Sequence, residues 1–130
     1  MGGDEVARLE SVSPISGEDV ANLPVKELAP AIAYYVSVLG FATVSHGDGT
    51  ASLSRDEAQI GLVVNDKHEP HNAGSLAFRV DDLDALHREL IDRGGNPGKF
   101  DVQEWDGKRF RTFFMREDRD GYCYCFYHPA

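Results

Sequence analysis

The chain has 130 residues, of which 42% are hydrophobic and 27% are charged, so it can form one domain with a buried core but not two ordinary ones. The 22 acidic and 13 basic residues give a formal net charge of −9, and such a field repels phosphate backbones, so nucleic-acid binding is not expected. Two cysteines cannot build a disulfide framework, so we predict free thiols. No apolar run reaches the roughly 20 residues of a membrane helix, and no signal-peptide pattern opens the chain. We therefore predict a cytoplasmic protein with no membrane contact.

The first half of the chain predicts one helix followed by three strands. Residues 1–17 form an N-terminal extension that no periodic pattern explains. An extended segment is expected from Val20 to Val25, and a helix follows that ends near Gly40. Three short strands are then expected at residues 41–45, 51–54 and 59–64.

The second half repeats this order at an offset of 55 residues. Val25, Leu28 and Gly40 correspond to Val80, Leu83 and Gly95, and three anchors at one offset indicate a duplicated module. The predicted elements are a strand at 76–80, a helix capped by Asp82, strands at 100–105 and 109–116 around an Asp106-Gly107 hairpin turn, and a last strand at 122–127.

The repeat predicts an α+β fold built from two βαβββ modules. The modules span about residues 18–66 and 73–128 within a domain of residues 18–130. Paired modules of this kind give a curved mixed sheet of eight strands, with helices outside and a cavity on its concave side.

Three groups of motifs carry a resemblance to a known family. Residues 25–28 (VKEL), 34–35 (YY) and 39–41 (LGF) resemble the pattern V-x-D-L, F-Y and L-G-F of the vicinal oxygen chelate superfamily. Residues 74–80 (GSLAFRV) resemble its G-H-I-A-F-x-V, and residues 118–121 (DRDG) resemble its D-P-D-G. This superfamily contains glyoxalase I, extradiol dioxygenases and bleomycin resistance proteins, and the resemblance covers about residues 18–128. It implies the two-module fold and leaves the reaction open.

The resemblance also locates the positions where metal-binding members place their ligands. These fall near Val20, at Ser75 and at Cys125, with a fourth position near Gly61 in some members. Valine and glycine offer no donor, serine is a poor ligand, and about three protein ligands are needed. We therefore predict an empty metal site and no cofactor.

The cysteines and histidines do not replace the missing ligands. Cys123 and Cys125 lie two apart on a strand and are interpreted as packed apolar residues rather than a chelate. His68 and His71 have H-x-x-H spacing, but the surrounding residues predict a solvated surface loop.

A ligand cavity is expected instead. Residues 105–110 (WDGKRF) loosely resemble W-G-x-R-E-F of bleomycin resistance proteins, in which this region lines a cleft between two subunits. The cavity residues predicted from the resemblance and the strand alternation are Val20, Asn22, Ser75, Trp105, Phe110, Cys123 and Cys125.

The leading hypothesis is a metal-free, homodimeric protein that binds a small molecule in an acidic, aromatic-lined cleft. The negative field favours a cationic or aromatic ligand, although Arg79, Arg109 and Arg116 on predicted strands could bind a carboxylate. Two alternatives stay open: a metal-dependent lyase or dioxygenase of the same superfamily, and a non-catalytic regulatory or interaction module.

Overall fold

The computed structural model describes residues 7–15 and 19–130, which contain nine strands, two α-helices and one 3₁₀ helix. The other residues of the N-terminal extension, and residue 18 at the predicted start of the first module, lie outside the described residues. In chain order the elements are β1 (Leu9–Pro14), β2 (Leu23–Val25), α1 (Leu28–Ser37), β3 (Ala42–His46), β4 (Thr50–Arg55), β5 (Ala58–Val64), a 3₁₀ helix (Pro70–Asn72), β6 (Ser75–Val80), α2 (Leu83–Asp92), β7 (Asp101–Trp105), β8 (Lys108–Arg116) and β9 (Cys123–Pro129).

The two modules share one topology. A four-stranded sheet has the order β2-β5-β4-β3, and a five-stranded sheet contains the equivalent order β6-β9-β8-β7. In each module the first strand is parallel to the last, and the other pairs are antiparallel. The two helices begin and end 55 residues apart, and Asp82 caps α2 by accepting a 3.0 Å hydrogen bond from the Ala85 N–H. The α+β class and the duplicated βαβββ module are confirmed.

Strand β1 lies in the extension that the sequence pattern leaves unexplained. It pairs antiparallel with β6, with Val12 opposite Phe78, and Leu9 is buried in the core. An irregularity in the register between Leu9 and Ser11 breaks the two-residue alternation of apolar side chains, so the strand carries no periodic signal.

The strands form two separate sheets of five and four strands, where the sequence predicts a single curved sheet of eight. One hydrophobic core joins them, because ring contacts link Tyr35 with Tyr124 at 6.0 Å and Phe41 with Phe78 at 6.2 Å across the modules. Both sheets also carry exposed apolar side chains, such as Val44 on β3 and Phe114 on β8. Neither α-helix in the described part of the chain has the length and apolar character that a bilayer span requires.

The motif at residues 118–121 joins the modules through a buried polar turn. Asp120 Oδ1 accepts a 2.9 Å hydrogen bond from the Lys26 N–H, and the Tyr122 hydroxyl donates to the Pro24 carbonyl at 2.7 Å. His68, predicted to be solvated, is instead buried: its Nε2 lies 2.9 Å from the Asp120 carbonyl oxygen, and its ring stacks on Tyr122. The loop histidine was misassigned because its partners come from a distant turn.

Candidate ligand-binding pocket

The five-stranded sheet carries an open pocket of about 440 Å³ beside the β7–β8 hairpin. We call it the aromatic pocket, and its lining residues are Ile15, Ala77, Arg79, Trp105, Asp106, Lys108, Phe110 and Tyr127.

The hairpin register places these side chains together. Asp106 and Gly107 have φ angles of 52° and 75°, which fits the two-residue turn that the sequence predicts, and Trp105 pairs with Lys108. Arg79 is the neighbour of Tyr127 in the parallel pair of β6 and β9, so both lie at the same end of the sheet.

Three aromatic rings form the apolar part of the pocket. The Trp105 ring lies 5.0 Å from Phe110 at an interplanar angle of 33°, and the Tyr127 ring meets both nearly edge-on, at 5.7 and 5.6 Å. Trp105 is 38% exposed although its neighbours are aromatic. The cluster therefore presents apolar surface to water at a concave site, which favours a ligand with a planar ring.

The lining of the aromatic pocket is not acidic, although the net negative charge of the chain suggests an acidic cleft. Arg79 and Lys108 are cationic, and Asp106 is the one acidic residue among the lining side chains. An adjoining cavity of about 430 Å³ shares Arg79 and Lys108 and adds Arg109. The net negative charge of the chain thus lies elsewhere on the molecule.

Three further residues predicted for the cavity lie on the same sheet. Ser75 is the neighbour of Cys123 across β6 and β9, and Cys125 lies two residues before Tyr127 of the aromatic pocket. Strand alternation puts these side chains on the pocket's face of the sheet, farther along the strands. Burial raises the pKa of the Cys125 thiol to about 11, with a smaller contribution from Cys123, and burial also raises the pKa of Cys123.

Val20 and Asn22 lie against the other sheet. β2 begins only at Leu23, because Asp19 folds the preceding residues into a turn: its carboxylate accepts 3.0 Å hydrogen bonds from the Ala21 N–H and the Asn22 side chain. These bonds hold the pKa of Asp19 below its usual value. The prediction of an extended segment from Val20 to Val25 is thus wrong for its first three residues.

This turn borders a second pocket on the four-stranded sheet. We call it the polar pocket; it has a volume of about 320 Å³ and is lined by Ala21, Val44, Ser45, Ser52, Leu53, Gln59, Ile60 and Gly61. Its lining contains hydroxyl, amide and apolar groups and no ionisable side chain. The seven predicted cavity residues are therefore divided between two sheets: Trp105 and Phe110 line the aromatic pocket, three lie near it, and two lie beside the polar pocket.

Several lining residues of the aromatic pocket were not predicted, although signals for two of them were present in the sequence. The Asp106-Gly107 turn places Lys108 opposite Trp105, and the alternation that relates Cys123 to Cys125 continues to Tyr127. Ile15 carries no such signal, because it follows the unpredicted strand β1.

The positions that hold metal in relatives do not fit a divalent ion here. The Val20 side chain has no donor atom, and Ser75 and Cys125 offer one hydroxyl and one thiol. Among residues 7–15 and 19–130, no three His, Cys, Asp or Glu side chains are grouped so that they could hold a metal ion.

Comparison with known proteins identifies the family. Residues 18–126 match the family described as Glyoxalase/Bleomycin resistance protein/Dioxygenase superfamily. No curated protein matches the chain.

Solved structures show the same fold at low sequence identity. A bleomycin-binding protein complexed with bleomycin has a TM-score of 0.71 and 19% identity, covering 88% of this chain and 100% of that chain. A bleomycin resistance determinant encoded on transposon Tn5 has a TM-score of 0.70 and 21% identity, covering 88% and 99%. The bleomycin-binding protein of Streptomyces verticillus, complexed with copper(II)-bleomycin, has a TM-score of 0.62 and 24% identity, covering 83% and 92%. The family match and the shared two-module topology lead to one conclusion: this chain belongs to the glyoxalase/bleomycin resistance protein/dioxygenase superfamily.

Proposed function

We propose that the chain binds a small aromatic molecule in the aromatic pocket and carries out no reaction on it. The observation that carries the proposal is the partly exposed Trp105 ring, packed against Phe110 and Tyr127 beside a cavity of about 440 Å³. Ligand pockets typically measure about 300–1,000 Å³. A ring stacked on this cluster would remove apolar area from water and add an aromatic contact worth about 0.5–1.5 kcal/mol.

The chemistry of the family's metal positions supports binding rather than catalysis. Val20, Ser75 and Cys125 supply one thiol and one hydroxyl, which is too little for a Lewis-acid centre. The solved relatives named as bleomycin-binding proteins fit the same interpretation.

We further propose that a second copy of the chain closes the pockets in a symmetric homodimer. Both sheets carry exposed apolar residues, such as Val44, 65% exposed, and Phe114, 40% exposed. Pairing the four-stranded sheet of one copy with the five-stranded sheet of the other would bring Val20 and Asn22 toward Ser75, Cys123 and Cys125. Sedimentation velocity at micromolar concentration tests this, and a purely monomeric protein contradicts it.

A thermal-shift screen of aromatic compounds tests the binding function. Compounds that raise the melting temperature of the wild-type protein should lose their effect on Trp105→Ala, whereas Val102→Ala, an exposed apolar residue on the same hairpin, should respond like the wild type. Hits that act equally on Trp105→Ala would place the binding site elsewhere.

Metal analysis of protein purified without chelator tests the proposed lack of metal. We expect well under one equivalent of zinc, iron, manganese or nickel, and no effect of chelators on melting. A stoichiometric metal ion that is lost in Cys125→Ser would instead support a metal enzyme.

The cytoplasmic location is likewise proposed from the sequence, and cell fractionation tests it.

A further inference from the structure

We infer that the ligand of the aromatic pocket carries an anionic group next to its ring, as in a planar aromatic carboxylate. The inference rests on the proposed binding function and names the class of ligand that this pocket takes. Its basis is the position of Arg79 and Lys108 beside the aromatic cluster.

Arg79 is positioned as a carboxylate partner. Its Nε donates to Glu10 Oε1 of β1 at 3.3 Å. Its terminal nitrogens have no hydrogen-bond partner within the described residues, and the side chain lines both the aromatic pocket and the adjoining cavity. The planar guanidinium fork matches the two oxygens of a carboxylate.

Lys108 adds a second positive charge to the lining. In the part of the chain that the structure describes, Lys108 takes part in no ion pair. Most arginines are paired; examples are Arg55 with Glu89 at 2.7 Å and Arg111 with Asp84 at 2.8 Å. In a chain with 22 acidic residues, the lining of the aromatic pocket holds two cations, Arg79 and Lys108, against one acidic residue, Asp106, and so forms a local positive region.

The register of the strands places this positive region within reach of a ring bound to the cluster. Arg79 neighbours Tyr127 across β6 and β9, and Lys108 neighbours Trp105 across the hairpin. Adjacent strands lie roughly 4.8 Å apart, so one small molecule can contact a ring and a cation together. An aromatic amine in the same position would place its ammonium beside like charges. The pocket thus favours an anionic ligand, whereas the net negative charge of the chain attracts cations.

Calorimetric titration with three compounds that share one ring tests the inference. The probes are phenylacetate, phenylacetamide and phenethylamine, which carry a negative, a neutral and a positive group. Charge-assisted contacts at a partly exposed site predict that phenylacetate binds about three- to tenfold more tightly than phenylacetamide, with phenethylamine weakest. Added salt should reduce the advantage of phenylacetate and leave the binding of phenylacetamide nearly unchanged.

Variants assign the preference to the named cations. Arg79→Gln should remove most of the difference between phenylacetate and phenylacetamide, whereas Arg88→Gln, at an exposed position of α2 outside the lining, should preserve it. Lys108→Gln should also reduce the difference between the affinities for phenylacetate and phenylacetamide. This variant leaves the contact between β1 and β6 intact, so it tests the role of the cations even if Arg79→Gln does not fold. Lys99→Gln is its exposed control.

The outcomes separate the inference from the binding function. If phenylacetamide or phenethylamine binds as tightly as phenylacetate, the anionic ligand is wrong and aromatic binding stands. A preference for phenylacetate that persists in both Arg79→Gln and Lys108→Gln likewise overturns the assignment to these cations. If no aromatic compound binds and Trp105→Ala changes nothing, the binding function and the inference are both wrong.

Discussion

Gly61 on β5 lets the turn at residues 19–22 pass close to this strand, where any side chain would collide with the turn. The Gly61 N–H donates to the Val20 carbonyl at 2.8 Å, and a Cβ at position 61 would overlap the backbone of Ala21. The overlap is with main-chain atoms, so no side-chain rotation relieves it. The absence of a side chain at this position thus permits the turn that borders the polar pocket.

Replacing this glycine should therefore destabilise the protein. We expect Gly61→Ala to lower the free energy of unfolding by about 2–3 kcal/mol, because the turn at residues 19–22 must move away from β5. Gly47→Ala is the matched control: its Cβ would meet only the Thr50 side chain at 3.4 Å, and a change within about 0.5 kcal/mol is expected. Urea titration measures both, and equal effects would contradict this role of Gly61.

Cys125 should react slowly with thiol reagents. Its pKa of about 11, against an ordinary value near 9.0, lowers the thiolate fraction about 100-fold near pH 8. In Cys123→Ser, burial, the larger cause of the raised pKa, remains, so labelling of the folded protein should be much slower than in urea and its rate should keep rising above pH 9. The half-buried Cys123, followed in Cys125→Ser, provides the comparison. A labelling rate that levels off near pH 9 would contradict the raised pKa.

At the scale of elements, β1 makes residues 9–14 of the N-terminal extension part of the fold. Leu9 is 2% exposed, and its N–H donates to the Asp56 carboxylate at 2.9 Å, so the strand is attached to the first module as well as to β6.

Truncation of the buried Leu9 side chain should destabilise the protein. Leu9→Ala is expected to lower the free energy of unfolding by about 2–4 kcal/mol through lost burial and the cavity left behind. Ser13→Ala, at an exposed position of the same strand, should change it by less than about 0.5 kcal/mol. Chemical denaturation of both variants decides the matter, and a small effect at Leu9 would mean that β1 is not part of the folding unit.

The elements that the sequence predicts are those whose signals are local. The two helices follow from apolar spacing and the Asp82 cap, and the β7–β8 hairpin follows from Asp106-Gly107. β1 gives no such signal because its register is irregular, and β2 is shorter than expected because Asp19 bonds back to its own backbone. Both exceptions depend on contacts that a periodic pattern does not contain.

At the scale of the whole molecule, a buried ion pair links the modules. Arg55 of β4 is 4% exposed and donates to both carboxylate oxygens of Glu89 on α2, at 2.9 and 2.7 Å, and also to the Leu39 carbonyl. The pair connects the first sheet to the second helix. Removing its acid would take two charge-assisted hydrogen bonds from the buried guanidinium and leave Asp56, 3.7 Å from its Nε, as a nearby carboxylate.

Glu89→Ala should therefore cost about 2–4 kcal/mol of unfolding free energy, because the hydrogen bonds to Arg55 and the pair with Arg93 are lost while Asp56 remains near Arg55. Glu57→Ala breaks an exposed pair with Arg8 and should cost less than about 1 kcal/mol. Thermal unfolding followed by calorimetry compares the two variants. Similar small effects would show that Arg55 finds another partner and that the modules do not depend on this pair.

The candidate site could be predicted from the sequence only in part. Trp105 and Phe110 follow from the resemblance and from the hairpin signal, whereas the cationic lining needs the register of β6 against β9. Net charge misleads here because it averages over the whole surface. The division of the predicted cavity residues between two sheets follows from how the modules pack, which the repeat in the sequence does not specify.

Trp105 is the single tryptophan of the chain, and it lies in the aromatic pocket. The intrinsic fluorescence of the unlabelled protein, excited where tyrosine does not absorb, therefore comes from this pocket alone. Its emission should shift to the blue when a bound molecule displaces water from the indole, and the same signal reports on a second copy that covers the sheet. The protein thus contains its own optical probe for occupancy, and ligands can be titrated without dye, tag or enzymatic assay.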